Sequence, residues 1–179
     1  MIFIRRTMKL NHLILSVLSL MVFSLASCEL RSDRAVKPDM EWMQRPSASL
    51  KPGLLTNGKT YLAVNPSIYD QSNTGLINLT TTVSLRNLDP EREVQLNAIQ
   101  LYDTGGNLVK AYIASPILMQ PLETLQLIIV HEDNSGGTGA NFVFDWSTQP
   151  LGIEPRFDAV MISTYGQGIS FQFEGIRVK

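Results

Sequence analysis

Cysteine is almost missing from this chain: one residue, Cys28, in 179. Chains exported to an oxidising compartment ordinarily use cysteines in pairs. A single one excludes an internal disulfide, and its place at the end of an apolar run excludes a cysteine nucleophile inside a folded domain. Basic runs are missing too. Of 15 basic and 16 acidic side chains, Arg5, Arg6 and Lys9 lie in residues 1–27, which hold no acid. The remainder carries twelve positive against sixteen negative charges, a net charge of −4. That excludes the basic stripe a nucleic-acid binder needs to displace phosphate counterions, and it excludes electrostatic adhesion to anionic lipid. No segment carries a helical apolar face of ten or more residues. The longest apolar run, Leu13–Phe23, is short of the ~20 residues that span a bilayer.

What is present begins with a leader. Residues 1–27 have the three parts of a secretory signal peptide: a positive start, the apolar Leu13–Phe23, and small residues at Ser24, Ala26 and Ser27. Met8-Lys9 would serve equally as a start, so Met1 and Met8 both stand as initiation sites. Leu25-Ala26-Ser27-Cys28 resembles the bacterial lipobox at all four positions. The resemblance implies cleavage before Cys28, diacylglycerol on its thiol and an acylated new amine. Two or three buried chains anchor stably where one holds weakly. Glu29 after the cysteine resembles an outer-membrane sorting signal more than an inner-membrane one. Ordinary cleavage near Ala26 or Ser27, leaving a soluble protein, is the competing reading.

Residues 28–59 carry Pro38, Pro46, Pro52, Gly53 and Gly58 and no sustained apolar period, so they are expected to be a lipid anchor and flexible tether. Met40-Glu41-Trp42-Met43 is the one apolar patch there, either a docking segment or a strip packed on the domain. From residue 60 the period is two. Leu79, Thr81, Val83 and Leu85 alternate with polar residues, as do Phe142, Phe144 and Trp146, and Ile169, Phe171 and Phe173. Leu122–His131 and Phe157–Tyr165 are more continuously apolar, the habit of central strands. Turn signals separate the runs: Asn87-Leu88-Asp89-Pro90, Asp103–Asn107, Gln120-Pro121, Gly136–Gly139 and Gly166-Gln167-Gly168. The expectation is an all-β fold over 60–179, an immunoglobulin-like antiparallel β-sandwich of about eight strands.

The densest polar stretch is His131–Asn141, containing the one histidine beyond the leader. Its candidate binding residues are His131, Asp133, Asn134, Ser135, Gly136, Gly137, Thr138 and Asn141. A metal site there would join His131 with Glu132, Asp133 and Asp145, but strand neighbours point to opposite faces and calcium-loop spacing is missing. Ser135, His131 and Asp133 or Asp145 are the residue types of a hydrolase triad, without a nucleophile elbow. The glycines lack the Gly-Lys-Ser/Thr of a phosphate loop. Asp89, Glu91 and Glu93 beside Arg86 and Arg92 fit a solvated turn with weak ion pairs. No catalytic residue, metal or cofactor is assigned from these patterns.

The stretch Val83–Gly168 resembles an uncharacterised domain-of-unknown-function family of bacterial exported proteins. Leu85–Pro90, Tyr102-Asp103 with Gly106–Val109, Ser135–Phe142, and Ala159–Ile162 with Gly166–Phe171 carry the resemblance. It implies an envelope location and one small domain, and it brings no activity. The expected function is a non-catalytic binding or structural module of the cell envelope. Its partners would be the membrane, through lipid on Cys28, and an envelope protein or glycan, with no nucleic acid; its place would be the outer membrane, facing the periplasm. The alternative is a metal-dependent or hydrolytic site in the His131–Asn141 loop.

Overall fold

The computed structural model describes residues 40–179. Cys28, the leader and the first part of the expected tether lie outside the described residues. Among the described residues, a 3-10 turn, Glu41–Gln44, precedes twelve strands. They are β1 (Thr56–Val64), β2 (Ser67–Tyr69), β3 (Leu76–Asn78), β4 (Thr80–Arg86), β5 (Val94–Tyr102) and β6 (Leu108–Ala111), then β7 (Ile117–Met119), β8 (Thr124–Ile129), β9 (Ala140–Thr148), β10 (Arg156–Ser163), β11 (Ile169–Glu174) and β12 (Ile176–Arg177). One sheet runs β12-β1-β9-β5-β6, with β7 also on β5, and the other runs β11-β10-β4-β8. A separate hairpin pairs β2 with β3, and every pairing is antiparallel. The all-β sandwich expected from alternation is what forms. The strands beyond the eight expected are the two- and three-residue pieces β2, β3, β7 and β12, too short to leave a period in the sequence.

Period two builds the core. Ala140, Phe142, Phe144 and Trp146 of β9 point inward with Leu62 and Val64 of β1, against Val83, Leu85, Leu127, Phe157 and Met161 of the opposite sheet. Phe144 stacks on Phe157 across the two sheets at 4.2 Å between ring centroids and on Phe142 within its own sheet at 5.6 Å. In β5 the phase changes. Asn97 is an extra residue opposite β9, between Leu96, which faces Trp146, and Ala98, which faces Asp145. This bulge lets Leu96 and Ile99 both reach the core although they are three positions apart.

Two expectations change. The apolar run in β8 suggested a central strand, yet β8 lies at the margin of its sheet. Leu125, Leu127 and Ile129 bury against the core, and chain that precedes the first strand meets the outer edge. The indole Nε1 of Trp42 donates to the Gln126 carbonyl at 3.1 Å, and Trp42 is 6 % exposed. Arg45 forms a two-pronged pair with Glu123, Ala48 N–H donates to the Pro116 carbonyl, and Leu50 N–H donates to Gln95 Oε1. Met40–Leu50 is therefore a strap on the domain, and β1 opens at Thr56, inside the stretch expected to be spacer.

The acidic turn is the second. Asp89 is 1 % exposed, not solvated. Its carboxylate accepts the N–H groups of Glu91, Arg92 and Ile153. Those bonds, that of Glu91 foremost, hold its pKa below the usual aspartate value. Neighbouring Asn87, equally buried, donates to the carbonyls of Arg92, Met119 and Gln120 and accepts from Asp89 N–H. Together they lock one end of the sandwich.

Candidate functional site

At the opposite end, the glycine-rich loop between β8 and β9 meets the β5–β6 hairpin. Thr104, at that hairpin's tip, donates its N–H and its hydroxyl to the Gly136 carbonyl, and its Oγ1 accepts the Gly139 N–H at 2.9 Å. Asn65 donates to the Thr138 carbonyl. Gly137 has φ +71°, which only glycine adopts without strain, and a methyl there would lie 2.8 Å from Thr104 Oγ1. The glycines thus serve close packing of two loops, and Gly136, Gly137 and Thr138 are spent on it.

The remaining candidates divide. Asp133 accepts both the N–H and the hydroxyl of Ser135, at 3.1 and 2.7 Å. The Ser135 hydroxyl, first of several causes, lowers the Asp133 pKa, and Lys110 adds to it. Asn134 closes the turn through its carbonyl, which accepts Gly137 N–H. Asn141 sits within β9, half-buried and opposite Ala63 and Tyr102. Nearby Tyr112 leans on Phe142, and burial pushes its phenol up to about 12. His131 goes elsewhere. It lines a cleft of about 280 Å³ with Leu76, Ile77, Asn78, Ser163, Thr164 and Tyr165.

The residues of a hydrolytic or metal site are therefore not assembled. Ser135 donates to Asp133 while His131 faces another cleft, and Asp145 pairs with Lys59 at 3.1 Å on β1. Among the described residues, no group of three or more His, Cys, Asp or Glu side chains is placed to hold a metal ion.

What the arrangement offers is a recognition rim. Tyr165 is 64 % exposed, and Leu76 and its cross-strand partner Tyr69 stand out of the β2–β3 hairpin. Beside them Val130 and Ile162 are about half exposed. The cleft sets the His131 imidazole and the polar groups of Asn78, Ser163 and Thr164 within this rim. Sequence reading missed Tyr165, Leu76 and Asn78 because they converge only when the hairpin, the β8–β9 loop and the β10–β11 turn meet. The one local signal was an aromatic beside Gly166-Gln167-Gly168.

No curated protein and no solved structure matches the chain. A family model does match, over residues 57–178, which is nearly the whole sandwich. The chain belongs to the family described as Protein of unknown function (DUF3124).

Proposed function

We propose that this protein is a cell-envelope lipoprotein whose sandwich is a non-catalytic binding module, held to the outer membrane through lipid on Cys28 and engaging an envelope protein or glycan in the periplasm. The observation that carries the binding reading is the cleft where His131 meets Tyr165 and Leu76. It joins exposed apolar and aromatic surface to a few convergent polar groups, the mixture common to recognition sites. The lipobox resemblance of Leu25–Cys28 and the signal-like leader support the anchor. Because Met40–Leu50 belongs to the domain, the reach of the module is short. At about 3.3–3.6 Å per residue, the chain from Cys28 to Met40 extends at most about 40 Å.

Two measurements test this. Cys28→Ala is expected to abolish palmitate labelling and release the protein from membranes; unchanged labelling and retention refute the anchor. A photo-crosslinking residue at Tyr165 is expected to give one reproducible adduct in intact cells. A control at Leu151, 91 % exposed at the far end of the sandwich, is expected to give none. The same products from both positions would refute a binding face at this end.

A further inference from the structure

The outer face of the six-stranded sheet carries a second cleft, of about 370 Å³, lined by Asn57, Lys59, Asn97, Asp145, Trp146 and Lys179 together with Gly58. Its size falls within the range of small-ligand sites, about 300–1,000 Å³. Register explains how it is built. Gln95, Ser147 and Asn57 lie opposite one another across β5, β9 and β1, and Lys59 lies opposite Asp145 in the adjacent row. The bulge in β5 adds Asn97 to the same row.

These side chains form a directed relay. Leu50 N–H donates to Gln95 Oε1, Gln95 Nε2 to Asn97 Oδ1, Asn97 Nδ2 to Ser147 Oγ, and Ser147 Oγ to Asn57 Oδ1 at 2.7 Å. Ser147 is 3 % and Gln95 9 % exposed. Each amide oxygen is thereby occupied, and what the relay leaves toward the cleft is N–H, at Asn97 and above all at Asn57 Nδ2. The amides cannot flip without breaking the chain, so the polarity of the cleft is set before anything binds.

The donors stand beside an acceptor, the Asp145 carboxylate, which the Lys59 ammonium neutralises at 3.1 Å. Lys59 and Asp145 offset each other's charge, so that pair favours neither an anion nor a cation. A hydroxyl both donates and accepts, and neighbouring hydroxyls on one ligand can satisfy amide and carboxylate together. Beneath the cleft the Trp146 indole points inward and is 1 % exposed. It is held over Gly58, where a methyl would collide with the ring, and its Nε1 donates to Thr60 Oγ1 at 3.0 Å. We propose that this cleft binds a neutral polyhydroxyl ligand, one or two units of a saccharide, through Asn57, Asn97 and Asp145.

The site is separate from the His131–Tyr165 cleft and does not depend on it. The test uses the purified full chain. Glucose, galactose, mannose, N-acetylglucosamine and the β-linked dimers of glucose and N-acetylglucosamine are titrated while the heat of binding is followed by calorimetry. At least one is expected to give a saturable change. Asn57→Ala and Ser147→Ala are expected to weaken that sugar about tenfold or more, and Tyr165→Ala to leave its affinity as it was. Should Ser147→Ala fail to fold, Asn57→Ala, at an exposed position, still decides. No saturable change with any sugar, or unaltered affinity in Asn57→Ala, overturns the proposal. Loss of sugar binding in Tyr165→Ala also overturns it, by moving the site to the other cleft.

Discussion

Replacing Trp42 by alanine tests whether the strap before the first strand is part of the folding unit. A tryptophan of this burial removes about 150–250 Å² from water, and at about 25 cal/mol/Å² that is ~4–6 kcal/mol. A compact unfolded chain already hides part of that area, and water can refill a site at the domain surface more easily than one at its centre. Both corrections lower the figure, to about 3 kcal/mol, the low end of measured tryptophan-to-alanine costs. The bond from Trp42 Nε1 to the Gln126 carbonyl contributes about 1 kcal/mol of the loss, because that carbonyl lies at a sheet edge that water reaches once the indole is gone. Trp42→Phe keeps most of the ring burial and should cost about that 1 kcal/mol alone. Urea unfolding of the full chain, followed by far-ultraviolet circular dichroism, measures both. With a slope of about 2 kcal/mol/M, Trp42→Ala should lower the midpoint by ~1.5 M and Trp42→Phe by ~0.5 M, with slopes unchanged. A loss within about 0.5 kcal/mol for Trp42→Ala, the range of ordinary surface substitutions, would refute the packing of the strap. Equal losses for the two variants would show that the hydrogen bond, and not burial, holds it.

Gly58→Ala drives a methyl into the Trp146 ring, which Thr60 and the core keep from retreating. An overpacking cost of about 1–3 kcal/mol is expected, with a shift in Trp146 emission; an unperturbed spectrum and stability would contradict the close approach. Asp89 governs acid sensitivity at the other end of the molecule. Its folded pKa lies below the ordinary aspartate value, about 3.9. The unfolded chain therefore takes up the proton first on acidification. The contribution of Asp89 to stability is complete above that ordinary value and disappears as pH falls from it through the lower folded one. Melting temperatures of the parent and Asp89→Asn between pH 6 and pH 2 should converge on acidification, and parallel curves would refute the assignment.

Much of the fold was legible because alternation is a local property. In β4 and β9 every second residue turns inward, Thr81, Val83 and Leu85 in one and Ala140, Phe142, Phe144 and Trp146 in the other, and all of these are buried. A period of two has one structural solution when one face must be dry. The bulge at Asn97 was also written in the chain, as the change of phase between Leu96 and Ile99. Local pattern failed where distant segments decide. Leu125, Leu127 and Ile129 suggested a central strand, but β8 lies at a sheet margin, where a tryptophan more than eighty residues away in sequence meets it. Asp89 resembled a solvated acid because the N–H of Ile153 is invisible from its own turn.

The functional features divide along the same line. The lipobox resemblance at Cys28, the lack of a second thiol, the all-β class and the polar loop from His131 to Asn141 can be read from the chain, since each depends on neighbours along it. Packing in three dimensions showed that this loop spends its glycines on Thr104, and that His131 parts from Ser135 to face Tyr165. It alone aligned Gln95, Ser147 and Asn57 as one row. Strand register joins residues by hydrogen bonds between distant segments, and no window on the sequence contains both sides of that bond.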